Sequence, residues 1–163
     1  MQIFIMRHGE AQNFIEQGIR DDSQRALTTL GKQEAQTTAD WLQKIQIAPK
    51  QVFVSPYVRA QQTCAIVTSQ MQCPVSTLNF ITPSGDAKQV HDFIDGWCSE
   101  TEVDLPTQSL LIVSHMPLVS YLVAQLTQSE NAPIFATAGI AQINYDVKAM
   151  KGELVRLISP NEL

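Results

Sequence analysis

The sequence is short of several things, and each shortage removes a class of function. Its 163 residues hold three cysteines, Cys64, Cys73 and Cys98, an odd count with no close pair. That usage fits reduced thiols in a cytosolic protein and argues against a disulfide framework. No stretch approaches the roughly 20 apolar residues of a membrane-spanning helix. The apolar run Ile3 to Met6 is too short for the core of a signal peptide and leads straight into Arg7 and Glu10, so no targeting segment is read and a cytoplasmic location is expected. Basic residues are few: 11 Lys and Arg against 16 Asp and Glu give a net charge of −5, and the densest basic signal is Lys148 with Lys151. Without a basic stripe, neither a nucleic acid nor a membrane is expected as a partner. Repeats and low-complexity segments are missing, as is any carboxylate–histidine cluster with metal-ligand spacing.

What is present is a globular composition, with 44% hydrophobic and 17% charged residues. That balance separates the chain from disordered sequences. Its length suits one domain, residues 1–163, large enough to bury a sizeable core. Apolar strands and amphipathic helices alternate along it. Gln2 to Met6 reads as a strand. Thr28 or Thr29 caps a helix to about Ile45, with Ala35, Ala39, Leu42 and Ile45 on one face and Pro49 beyond its end. Val52 to Val54 reads as a short buried strand. Ser55-Pro56 then supplies an N-cap and an N1 proline for a helix to about Ser69. Asp86 caps a helix through Val90, Phe93, Ile94 and Trp97. Leu110 to Val113 has the continuous apolar character of a strand buried on both faces of a parallel sheet. Pro117 opens a further helix to about Leu126, and Ala141 to Tyr145 with Leu154 to Ile158 read as a closing strand pair. This order predicts a three-layer α/β/α sandwich with a mostly parallel sheet.

Three strand-to-helix junctions carry the chemistry. The first holds Arg7-His8-Gly9-Glu10, where the glycine allows close approach to the backbone and the arginine supplies a forked cation suited to phosphate. The second holds Ser55-Pro56-Tyr57-Val58-Arg59, placing Arg59 in the first turn of a helix. The third holds Ser114 and His115. In an open α/β sheet, ligands bind beyond the carboxyl ends of the strands, so two arginines and two histidines are expected at one edge, with helix N-termini favouring an anion there. His91 has no partner motif and reads as solvated or packed.

Arg7-His8-Gly9-Glu10, Ser55-Pro56-x-x-Arg59-Ala60-x-Gln62-Thr63 and His115 resemble the histidine phosphatase superfamily, the phosphoglycerate mutase-like family. Asp22-Ser23-x-Arg25-x-Leu27-Thr28-x-x-Gly31, Thr82-Pro83-x-Gly85-Asp86 and His115-x-Pro117-x-x-Ser120 resemble its short SixA-type phosphohistidine phosphatase branch. The resemblance implies the phosphoglycerate mutase-like fold. It makes His8 the nucleophile that takes the phosphoryl group, with Arg7, Arg59 and His115 clamping its oxygens and no metal or cofactor required. A neutral imidazole keeps a free lone pair near neutral pH, and guanidiniums stay charged as charge spreads over the phosphoryl oxygens. Arg25 is expected to help hold the phosphate or the partner, with Asp22 orienting Arg25; a solvated loop salt bridge is the equal alternative.

Mutases and ester phosphatases of this family carry an acidic residue after the second helix to protonate the leaving alcohol. The corresponding stretch, Leu78 to Asp86, has no glutamate, and its one carboxylate, Asp86, reads as a helix cap. The mutase-like asparagine after the first motif is also out of register: Phe14 holds that spacing, with Asn13 one residue off. An alkoxide leaving group needs a general acid. A phosphohistidine does not, because protonation of its distal nitrogen by solvent lets neutral imidazole depart. The missing acid therefore favours an N–P substrate. The long loops, about Ala11 to Ala26 and Ser99 to Ser109, leave out the insertions that cover the site in mutases. An open site admits a histidine presented on a folded protein. The resemblance implies phosphohistidine-bearing targets, either histidine-containing phosphotransfer domains or phosphocarrier proteins, met by a monomer. Two alternatives remain at this stage. One is a small-molecule phosphomonoesterase or mutase with Asp86 or Glu10 as acid; the other is a non-catalytic module that binds phosphoproteins.

Overall fold

The computed structural model describes residues 1–13, 18, 20–102 and 106–163. Among these residues, six strands form one mixed sheet in the order β3-β2-β4-β1-β5-β6. They are β1 (Gln2–Arg7), β2 (Gln51–Val54), β3 (Val75–Thr77), β4 (Ser109–Ser114), β5 (Ile140–Asp146) and β6 (Lys151–Ile158). The pairs β1–β4, β2–β4 and β2–β3 are parallel, whereas β5 runs antiparallel to both β1 and β6.

Among the described residues, four α-helices cover the faces: α1 (Thr29–Lys44), α2 (Val58–Thr68), α3 (Ala87–Thr101) and α4 (Leu118–Thr127). Strand periodicity assigns their sides, since alternate residues point to opposite faces. Ile3 and Ile5 of β1 join a core with Val90 and Ile94 of α3 and Leu122 and Val123 of α4. Phe4 and Met6 of the same strand join a second core with Ala39 and Leu42 of α1 and Ala60 and Val67 of α2. The result is the three-layer sandwich. As expected for a doubly covered parallel strand, every residue of β4 is buried.

Two helix caps follow the sequence closely. Thr28 Oγ1 accepts from Gly31 N at 3.0 Å to start α1, and Asp86 Oδ1 accepts from Lys88 N at 3.0 Å to start α3. The second junction departs from expectation. α2 begins at Val58, not behind a Ser55 cap with Pro56 at N1, and its N-cap Tyr57 makes no side-chain cap bond. The Ser55 hydroxyl does accept from Tyr57 N at 3.2 Å and also lies 2.6 Å from His115 Nε2, tying the end of β2 to the third junction, while the helix starts two residues later than expected. β3 carries no apolar alternation and all three of its residues are exposed, so no strand pattern marks it. The connection 128–139, slightly shorter than the expected ends at Leu126 and Ala141 leave, passes beside Arg7.

Register brings the junctions to one level. Met6 and Val54 both pair with Val113, so β1, β2 and β4 end together and His8, Ser55 and His115 follow at a common edge.

Candidate active site

His8 is fixed before its side chain is considered. Its N–H donates to Ser114 O at 3.0 Å, and its carbonyl accepts from Ala138 N at 2.9 Å. The ring places Nδ1 2.7 Å from Gly9 O. A carbonyl only accepts, so Nδ1 carries the hydrogen and Nε2 keeps the lone pair. Arg59 Nε donates toward that nitrogen at 3.3 Å. The other two Arg59 nitrogens are occupied, Nη1 by Asp22 O at 2.7 Å and Nη2 by Asp22 Oδ2 at 3.1 Å. Arg25 Nε donates to the second Asp22 oxygen at 2.8 Å, so one carboxylate lies between two guanidiniums. Arg7 Nη1 donates to Phe135 O at 2.7 Å.

His115 lies with its ring centroid 5.1 Å from that of His8. Tyr57 meets His115 edge-on at 5.0 Å, and the Arg59 guanidinium lies over the same Tyr57 ring. Arg7 Nε and His115 Nδ1 are both buried without a hydrogen-bond partner among the described residues. Two such atoms at one edge suit an incoming anion, because an unmet buried donor costs about 1–3 kcal/mol.

Electrostatics agree. Burial, then the nearby Arg59, Arg7 and Arg25, push the His8 imidazole down to about 4 despite the Gly9 hydrogen bond. His115 is pushed down further by burial, His8 and the same arginines. Both rings are therefore neutral at neutral pH. Burial alone raises the Asp22 carboxyl, but hydrogen bonds from Arg59 and Arg25 outweigh it and hold the group below its ordinary range.

A second set of contacts holds this set in place. Thr63 Oγ1 accepts from Gly9 N at 3.1 Å and donates to Arg59 O at 2.8 Å, tying the first motif to α2. Gln62 Oε1 accepts from Leu27 N at 2.7 Å. Glu34 accepts from Glu10 N at 2.9 Å and from Thr137 Oγ1 at 2.7 Å, and its charge favours the Arg7 cation. The close approach at Gly9 is made by backbone: a Cβ on Gly9 overlaps the Gly31 carbonyl, and one on Gly31 overlaps Glu10.

All six residues singled out from sequence, His8, Arg7, Arg59, His115, Arg25 and Asp22, thus meet at one edge. Asp22 engages Arg59 as well as Arg25. Of the alternative acids, Asp86 is exposed and caps α3, while Glu10 Oε2 accepts from Thr28 Oγ1 at 2.8 Å. Phe14 lies outside the described residues. His91 packs away from the site, with Nε2 2.8 Å from Tyr145 Oη. Sequence reasoning missed Glu34, Thr63 and the role of Ser55. Thr63 stood in the second motif without a role, whereas Glu34 had no local signal, since its partners lie on distant segments.

Residues 3–82 match the family model for the histidine phosphatase superfamily, branch 1. The chain is 38% identical to the phosphohistidine phosphatase SixA of Escherichia coli (strain K12), covering 90% of this chain and 86% of that protein. The chain belongs to the histidine phosphatase superfamily. Within the family it is also 37% identical to a phosphohistidine phosphatase SixA homolog of Haemophilus influenzae, over 90% of this chain and 89% of the relative. The solved structure of the protein histidine phosphatase SixA complexed with tungstate superposes with a TM-score of 0.88 at 36% identity, covering 99% of both chains. No helix among the described residues is long and apolar enough to cross a membrane.

Proposed function

We propose that this chain is a protein phosphohistidine phosphatase working through a phosphoryl group held covalently on His8 Nε2. The observation that carries the reading is the unprotonated Nε2 facing Arg59, with no carboxylate free nearby among the described residues to serve a leaving alcohol. The similarity to SixA proteins supports the same substrate class. In the first step the Nε2 lone pair bonds to phosphorus as the substrate's P–N bond breaks. The electron pair goes to the departing imidazole, whose distal nitrogen has taken a proton from solvent. In the second, water attacks the phosphorus, the P–Nε2 bond breaks, and inorganic phosphate leaves with neutral His8 restored.

Arg7, Arg59 and the His115 ring hold the phosphoryl oxygens through both steps, where preorganised donors are worth most. Arg25 adds a cation at the rim, and Asp22 holds both Arg25 and Arg59. Three guanidiniums supply the neutralisation that a metal gives other phosphatases, so neither metal nor cofactor is needed. The reading takes residues 1–163 as a single domain, a cytoplasmic monomer. Its targets are histidine-containing phosphotransfer domains or phosphocarrier proteins.

The test is incubation with a panel of phosphohistidine proteins and small phosphoesters, with and without chelator. The proteins lose phosphate faster than the esters in both conditions. A phosphoenzyme forms that disappears in acid and survives alkali. Faster turnover of sugar phosphates or glycerates overturns the substrate class, an active His8→Ala variant overturns the covalent step, and a loss in chelator restored by divalent metal overturns metal independence.

A further inference from the structure

Ser55 stands at the end of β2 with no exposed surface, and its hydroxyl has two contacts. It accepts from Tyr57 N at 3.2 Å, and it lies 2.6 Å from His115 Nε2. A serine hydroxyl carries one hydrogen to donate. Tyr57 N–H is itself a donor, so among the described residues that hydrogen has a single acceptor within reach, His115 Nε2. Were Nε2 to carry a hydrogen instead, two donors would face each other across 2.6 Å, or the buried serine hydrogen would have no partner. Buried hydroxyls rarely accept either arrangement.

If Nε2 accepts, the neutral ring carries its hydrogen on Nδ1. That nitrogen is buried without a partner among the described residues, in a ring centred 5.1 Å from His8. We infer that Ser55 is a positioning residue that locks His115 as the Nδ1–H tautomer, so that a neutral histidine presents a hydrogen-bond donor to the bound oxyanion. The two histidines then use the same tautomer for opposite ends. A carbonyl takes the His8 hydrogen and leaves a lone pair at the pocket; a hydroxyl takes the His115 lone pair and leaves a hydrogen there. Tautomer is set by what the other nitrogen meets. His115 serves as a donor without becoming a fourth cation among Arg7, Arg25 and Arg59, where its protonation is disfavoured.

Only the kinetic consequence rests on the phosphatase reading; tautomer and oxyanion affinity are read without turnover. Histidine ring nitrogens are observed by long-range 15N–1H NMR in the wild type and in the Ser55→Ala and Ser55→Thr variants, with tungstate as the oxyanion probe. In the wild type His115 shows a protonated Nδ1 and a bare Nε2. Ser55→Ala populates both tautomers, weakens tungstate binding roughly tenfold, the scale of one hydrogen bond to a charged group, and lowers kcat more than it raises KM. Ser55→Thr retains the hydroxyl and restores the single tautomer. A wild-type spectrum with the hydrogen on Nε2 overturns the inference whether or not either variant folds. So does an Ala variant with unchanged tautomer and tungstate affinity. Wild-type tautomer and affinity as described, with no phosphohistidine turnover, overturns the phosphatase reading and leaves this one standing.

Discussion

At the scale of single residues, the site is a problem in placing protons. Burial, reinforced by Arg59, Arg7 and Arg25, pushes the His8 imidazole down to about 4 from its ordinary value of about 6.5. The lone pair that the proposed mechanism uses is therefore present from neutrality down to about that pH. The acid limb of kcat/KM, or the His8 ring resonances followed by NMR, should show a midpoint near 4; a midpoint at the ordinary histidine value contradicts the site's electrostatics. Folding carries the complementary signature. Between about 6.5 and about 4 the unfolded chain holds a proton on His8 that the folded chain does not, so stability falls as pH falls through that window. Chemical denaturation at stepped pH should show a shallower fall in a His8→Ala variant.

At the scale of elements, what the chain reveals of itself depends on whether the cause is local. The Thr28 and Asp86 caps and the apolar run of β4 were legible because each acts within a few residues. The role of Ser55 was missed because its hydroxyl also meets His115, a partner 60 positions away that no local pattern shows. β3 was missed because it holds the sheet edge by backbone pairing and by hydrogen bonds from Gln51 and Gln61, with no apolar alternation. The four central site residues were legible from motif and strand order together, yet Glu34 was not, since Thr137 and Glu10 reach it only after folding. Asp86 allows a clean separation of roles. Asp86→Ala should lower stability by about 1 kcal/mol through the lost cap, measured by urea denaturation, and leave phosphohistidine turnover unchanged. A large drop in kcat with stability intact would make Asp86 the missing acid.

At the scale of the whole molecule, the fold concentrates like charge. Strands β1, β2 and β4 end level, and Arg7, Arg25 and Arg59 are held around one point although the chain's net charge is −5. An oxyanion that binds only the folded chain must stabilise it. At a concentration about a hundred times the dissociation constant the gain is about 2.7 kcal/mol, which for a chain of this size raises Tm by roughly 5–10 °C. A thermal scan with and without tungstate reads this directly, and the rise should vanish in an Arg7→Ala, Arg59→Ala double variant. A shift retained there would place the anion elsewhere.

The main-chain anchoring of the first motif has one more effect. Arg7 donates to Gly139 O, His8 donates to Ser114 O, and the His8 carbonyl accepts from Ala138 N. Amide hydrogens at these two positions should exchange with solvent only when the whole sheet opens. On the proposed mechanism, a histidine so embedded cannot carry a phosphoryl group to a distant acceptor in the way a residue on a loose loop can. Whatever follows capture would then happen in place, with the spent imidazole leaving and water arriving at a phosphorus that stays where it was caught.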